Sequence, residues 1–267
     1  VISLYWSGIA AIAVAAAPTI VRAQDGNYCT ERPGINTPPC ILAPGRVSVE
    51  SAIVDWTRDD SGATRSDTVL IGDTAVRLGL TDRVEAQVGW TPFGRSRTRN
   101  PGSISTADRV GDVTLGLKTL LSDPDNGGSF AVAILPYATL PVGRTPIGSG
   151  DWGAGVLLPM SYSLTEKFGL AMTPEIDVEV DSDGDGRHLA YSTAVGLSYA
   201  LTGSLTATGE FQAVRDNDPA GHTTQTIAAL SFAYMATPDT QFDIFGGAGL
   251  NRDTPDAQLY AGISHRF

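Results

Sequence analysis

Leu170–Asp181 reads LAMTPEIDVEVD, and its second half decides what kind of chain this is. Ile176, Val178 and Val180 fall at every second position, with Glu175, Asp177, Glu179 and Asp181 between them. Successive side chains of an extended strand point to opposite faces, so the segment carries one apolar face and one acidic face. Toward the N-terminus, Leu170 and Met172 extend the apolar row and Thr173 the polar one. The same period governs Arg83–Thr91, where Val84, Ala86, Val88 and Trp90 oppose Glu85, Gln87 and Gly89. In Thr240–Leu250, Phe242, Ile244, Ala248 and Leu250 oppose Gln241, Asp243, Gly247 and Gly249. No window sustains a helical period with caps.

From Gly45 onward such stretches recur, beginning near residues 46, 67, 83, 111, 129, 152, 168, 188, 204, 224, 240 and 257. Thr81-Asp82-Arg83, Thr165-Glu166-Lys167, Thr202-Gly203-Ser204 and Thr237-Pro238-Asp239-Thr240 read as tight turns. Segments 94–110, 141–151, 181–187 and 215–223 are longer and richer in Gly, Pro and charge. Twelve antiparallel strands with short turns at one end and long loops at the other fit an up-and-down transmembrane β-barrel. Alternation alone also fits a soluble barrel or sandwich with its apolar face inward.

Three features favour the membrane. The chain ends on Phe267, closing an alternating strand, as in the terminal signal read by the outer-membrane barrel-assembly machinery. Trp56, Trp90, Trp152, Tyr162, Phe168, Tyr199, Tyr234 and Phe242 lie near strand ends, where interfacial girdles belong. The polar faces mix charges with Gly, Ser and Ala, which suits a lumen. The expected fold is therefore all-β, a barrel of about 12 strands over residues 45–267.

Charge and composition narrow the partners. With 18 Lys+Arg against 29 Asp+Glu the net charge is -11, unsuited to nucleic acid. Residues 1–23 hold the only long apolar run, Ile9–Ala17, followed by Val21-Arg22-Ala23. It reads as a signal peptide cleaved after Ala23, with a membrane anchor as the alternative. A helical membrane protein is excluded, because no other run approaches spanning length. Residues 24–44, QDGNYCTERPGINTPPCILAP, form an irregular extension with four prolines. Cys29 and Cys40 within it are expected to pair in an exported protein. The extension either hangs in the periplasm or folds into the barrel as a plug.

Several short pieces carry a family resemblance. They are Thr91-Pro92-Phe93-Gly94 with Gly111-Asp112-Val113, and Leu140-Pro141-Val142-Gly143 with Gly150-Asp151-Trp152-Gly153. The ending adds Gly249-Leu250-Asn251, Thr254-Pro255-Asp256 and Ala261-Gly262-Ile263-Ser264-His265-Arg266-Phe267. In order and spacing these resemble the outer-membrane family named for the MetA-pathway of phenol degradation. The resemblance covers nearly the whole chain from Arg46. It implies a barrel in the outer membrane of a Gram-negative bacterium, with uptake of hydrophobic or aromatic small molecules, and brings no catalytic residues or cofactor.

The candidate site is the lumen wall. Glu175, Asp177 and Glu179 stand about 7 Å apart on one strand face. Arg77 and Lys118 are their candidate partners, sharing polar faces with Asp73 and Asp112. Glu85, Glu210 and Asp243 add further inward charge. An acidic wall favours cations; the competing reading is a charge network that stiffens the interior. Inward Tyr137, Phe245 and Tyr260 offer stacking surfaces to an aromatic permeant. Asp181, Asp183 and Asp185 match the first half of a calcium loop, but position twelve is Ser192 rather than Glu. Arg95, Arg97 and Arg99 read either as lipopolysaccharide contacts or as a solvated loop.

Catalysis finds little support. There are three histidines, no G-x-S-x-G and no H-E-x-x-H. The expected function is passage or uptake of small molecules through a narrow acidic lumen. The alternatives are a closed structural or loop-interacting barrel and, behind it, a lipid-modifying enzyme.

Overall fold

The computed structural model describes residues 28–123 and 129–267, so the signal-peptide expectation for residues 1–23 lies outside the described residues. Fifteen strands follow in order: β1 (Val47–Asp60), β2 (Arg65–Thr81), β3 (Val84–Trp90), β4 (Phe93–Asn100), β5 (Ser103–Arg109), β6 (Val113–Ser122), β7 (Phe130–Leu140) and β8 (Gly153–Leu157). They continue with β9 (Met160–Ser163), β10 (Phe168–Val180), β11 (Arg187–Ala200), β12 (Leu205–Asp216), β13 (Thr223–Thr237), β14 (Thr240–Gly249) and β15 (Ala257–Arg266). All belong to one antiparallel sheet, and β1 closes it by pairing with β2 on one side and β15 on the other.

Three pairs of consecutive strands are halves of one path through the wall. β2 pairs first with β4 and then with β3, on either side of Thr91-Pro92. β5 and β6 are separated at Val110–Asp112, and β8 and β9 at Leu158-Pro159. Proline lacks the donor a ladder needs and breaks two of these paths. The wall therefore has twelve strands, starting where the alternation places them.

Segment 94–110, expected from sequence as one of the longer connectors, is ordered strand for most of its length. It forms the β4–β5 hairpin, which continues the ladder beyond the barrel. Its two-residue turn is Pro101-Gly102, with Gly102 at φ +80°, the conformation a type II turn requires there. Above a bilayer neither face of a strand must be apolar, so the hydrophobic period vanishes while the backbone pairing persists.

At the other end each tight turn uses the same device. The hydroxyls of Thr81, Thr165, Thr202 and Thr237 accept from the backbone N–H two residues on, at 3.2, 3.2, 3.2 and 3.3 Å. These short caps mark the periplasmic rim.

Burial is inverted relative to a soluble protein. The largest fully buried side chains are Arg77, Lys118, Glu50 and Glu85, whereas Ile176, Leu230, Ile244 and Leu259 are more than half exposed. The soluble reading of the alternation fails on this ground, because apolar rows facing outward need lipid around them. Trp90, Trp152, Tyr162, Phe168, Tyr234 and Phe242 are exposed near strand ends. Phe168 and Tyr199 lie ring to ring at 4.5 Å.

Residues 28–44 answer the question left open for the extension: they fold inside the barrel. Cys29 and Cys40 are joined by a disulfide. The chain leaves the lumen past Gly79, where a Cβ would stand 2.2 Å from the Ala43 carbonyl oxygen, so only glycine lets the backbones approach.

Candidate functional site: the plugged lumen

A plug without secondary structure leaves its own backbone N–H and C=O groups to be satisfied by the wall. The inward charges of β1, β2, β3 and β6 supply part of this. Arg77 donates through Nε and Nη2 to both oxygens of Glu85, at 2.8 and 2.9 Å, and through Nη1 to Glu50 at 2.7 Å. Nη1 also donates to the Cys29 carbonyl at 2.8 Å. Lys118 bridges to the plug carboxylate Glu31 and donates to the carbonyls of Pro38 and Cys40 at 3.1 and 3.3 Å. In return, Glu50 accepts from the Glu31 N–H at 2.8 Å and Glu85 from the Leu42 N–H at 2.8 Å. Two cations thus hold three carboxylates. Burial alone would favour neutral Glu31, but the charges of Lys118 and Arg77 override it and bring its pKa down to about 2.

The rest of the wall holds the plug by different means. Glu210 accepts from the N–H groups of Ile35 and Asn36, at 2.9 and 3.0 Å, and from the Asn36 side chain at 2.9 Å. Arg32 pairs with Asp243 at 3.3 Å and lies 4.3 Å over the Tyr260 ring, which stacks on Phe245 at 4.6 Å. The Gly34 N–H donates to the Tyr260 hydroxyl at 2.6 Å, and Thr37 N–H to Thr173 at 3.1 Å.

These contacts correct part of the sequence-based site. Arg77 and Lys118 do not partner the ladder on β10; they belong to the plug anchor with Glu50, Glu85 and Glu31. Glu210 and Asp243 are anchors as well. Arg32 covers the Tyr260 ring and Phe245 is buried against that same ring, so neither offers a free stacking face while the plug is docked. Asp112 accepts from Gly143 N–H, Ser149 N–H and the Ser149 hydroxyl at 2.7, 2.7 and 2.9 Å, which fastens the 141–152 connector. Asp73 accepts from Thr91 at 2.7 Å at the break between β3 and β4.

Glu175 and Asp177 are the ladder members that meet. The Tyr137 hydroxyl contacts both, donating to Glu175 at 3.1 Å, and Ser192 donates to the other Glu175 oxygen at 3.0 Å. Glu179 is exposed nearer the outer mouth. A cavity of about 200 Å³ touches Asp112, Tyr137, Ser149, Asp177 and Glu179. A larger one, about 660 Å³, lies between the plug (Pro33, Asn36, Pro38, Cys40) and the β9–β12 wall (Ser161, Ser198, Glu210).

The calcium motif does not assemble. Asp181 turns to His188 Nδ1 at 2.9 Å and Asp183 accepts the Asp185 N–H at 2.9 Å. Among the described residues no group of three His, Cys, Asp or Glu side chains gathers as a metal site. His188 lies between Asp181 and Asp216, each at 2.9 Å. His265 contacts Thr240 at 2.8 Å, while Ser264 is buried on the opposite face.

Sequence reasoning missed Glu31, Arg32, Glu50 and Thr173. Glu50 was detectable as the inward neighbour of Ser48 on β1. Glu31 and Arg32 sit in an aperiodic segment, where no pattern gives a direction.

The fold has solved counterparts. The COG4313 outer membrane channel from Pseudomonas putida F1 superposes with a TM-score of 0.67 at 14% identity, covering 85% of this chain and 97% of that one. The translocator domain of autotransporter NalP from Neisseria meningitidis gives a TM-score of 0.53 at 12% identity, over 85% and 90% of the two chains. The KdgM porin gives 0.51 at 10% identity, over 82% and 99%. No curated protein matches the sequence. A family model described as "Putative MetA-pathway of phenol degradation" matches residues 30–267. The protein is an all-β outer-membrane barrel, and the chain belongs to that family.

Proposed function

We propose that this barrel is an outer-membrane channel for small molecules, with aromatic compounds as the favoured class, and that residues 28–44 are its internal gate. The observation that carries the reading is the division of the lumen. The plug consumes the polar wall of β1–β3, β6, β12, β14 and β15, yet leaves the 660 Å³ cavity along β9–β12. A space of that size accepts a single aromatic molecule beside the plug. The family description, which refers to phenol degradation, and the likeness to an outer membrane channel support the same reading. Its surroundings in this reading are outer-membrane lipid and lipopolysaccharide, and Phe267 is the signal presented to the assembly machinery.

Planar-bilayer recordings of the refolded protein, with labelled phenol uptake by cells expressing it in place of other porins, test the proposal. Wild type should carry small, cation-preferring currents and speed uptake. Glu50→Gln/Glu210→Gln, which weakens both anchors, should raise conductance several-fold. Silence from both forms in a folded barrel, with uptake no faster than in cells lacking it, would leave a closed structural barrel instead.

A further inference from the structure

The outward face of the barrel carries a concentration of arginine that the lumen does not explain. Outward positions of β1, β2 and β4 bear Trp56, Val69, Ile71 and Phe93 at the apolar edge. On the same outward rows stand Arg95, level with Val69, and beyond it Arg58, Arg65, Arg97 and Arg99, where Arg65 faces Arg99 and Asp67 lies between Arg58 and Arg97. On a chain of net charge -11 this is an isolated basic field. Arg58 lies 4.8 Å over the Trp56 ring and Arg95 6.0 Å from Phe93, so each guanidinium sits just above an aromatic that marks the hydrocarbon edge.

The acids on this face do not neutralise it. Asp67 is shared by Arg58 and Arg65 at 2.8 and 3.2 Å. Asp108 is taken by Arg95 at 2.6 Å. Asp60 accepts from the Gly62 N–H in its own turn at 2.9 Å. Arg97 and Arg99 make no ion pair among the described residues, and Arg99 stands directly across from Arg65. Like charges opposite one another on paired strands repel unless an anion lies between them.

Height identifies that anion. At about 3.3 Å per residue and a tilt near 40°, Arg95, Arg97 and Arg99 lie about 5, 10 and 15 Å above Phe93. The headgroup layer begins at the hydrocarbon edge and is about 5–8 Å deep in an ordinary bilayer. That layer reaches Arg95 but neither Arg97 nor Arg99; a headgroup of phosphorylated sugars is deeper than a phospholipid's and carries phosphate to their height. Guanidinium forks match phosphate oxygens in pairs.

We propose that the arginine face of β1, β2 and β4 binds the phosphorylated glycolipid of the outer leaflet, with Arg97 and Arg99 as its principal phosphate ligands. The inference rests on the outer-membrane placement of the barrel, not on what passes through it.

The test titrates full-length protein in detergent micelles with bis-phosphorylated lipid A, its dephosphorylated form and inorganic phosphate, reading bound lipid by native mass spectrometry. Arg97→Gln/Arg99→Gln should weaken lipid A binding tenfold or more. Arg97→Lys/Arg99→Lys should lie between it and wild type. Arg215→Gln, an outward arginine on β12, should stay within twofold. Equal binding of dephosphorylated lipid, equal binding by the glutamine variant, or displacement by equimolar inorganic phosphate would overturn the site. Heat-modifiable mobility and flotation with liposomes on the same samples keep the readings apart. Failure there rejects the membrane barrel itself, whereas a floating barrel indifferent to the phosphates rejects only the glycolipid site.

Discussion

Replacing Lys118 with Met should release the plug without unfolding the barrel. Lys118 is fully buried and is the cation hydrogen-bonded to Glu31, with Glu85 3.9 Å away and Arg77 3.8 Å from Glu31. Its removal leaves the three carboxylates of Glu31, Glu50 and Glu85 with Arg77 alone and orphans the carbonyls of Pro38 and Cys40. Breaking a buried ion pair from one side costs about 3–5 kcal/mol. The Glu31 side chain keeps 19% exposure and relaxes toward water, so the lower end applies. About 3 kcal/mol raises the undocked fraction by about 10²-fold, at 1.4 kcal/mol per decade. The strand ladders are untouched, so the cost falls on plug docking. Protease sensitivity of residues 28–44 in liposomes reads docking, and single-channel conductance reads the opening it causes. Protection and conductance both within twofold of wild type, in a barrel that keeps its heat-modifiable mobility, would refute the argument that Lys118 latches the plug.

Other consequences are more local. Because Glu31 is held near a pKa of about 2, below its ordinary value of 4.5, ionised Glu31 favours the docked plug above that ordinary value. The benefit should fade as pH falls from about 4.5 through 2, so protease protection that is flat across this window, or is lost on raising pH, contradicts the assignment. Cys29→Ser/Cys40→Ser should loosen the plug by about 2–3 kcal/mol, read as faster amide exchange confined to residues 28–44. Ile244→Lys, at a lipid-facing position 56% exposed near the middle of β14, should cost about 2–4 kcal/mol in urea unfolding from liposomes. A neutral result there would argue against a lipid-facing wall. Glu175→Gln/Asp177→Asn should lower cation preference in any current that persists, measured as a shift in reversal potential under a salt gradient.

The period of two was enough to place twelve strands, because lipid on one side and polar groups on the other force alternation along every membrane-crossing segment. The rim threonines carried information for a similar reason, since each acts through its immediate neighbours. The β4–β5 hairpin escaped the same reading because no apolar face is demanded above the bilayer. Arg77 and Lys118 were correctly turned inward by parity, yet assigned to the wrong partner. Parity gives a direction, and closure of a barrel decides which strands face one another across it. Sequence offered the plug only as one of two alternatives and gave none of its contacts: Glu31 and Arg32 have no period, and their roles exist only where Lys118, Glu50 and Asp243 converge from strands far apart in the chain. Local alternation determined the wall; only tertiary structure decided what fills it, because a lumen is made by residues that meet only after the sheet has closed.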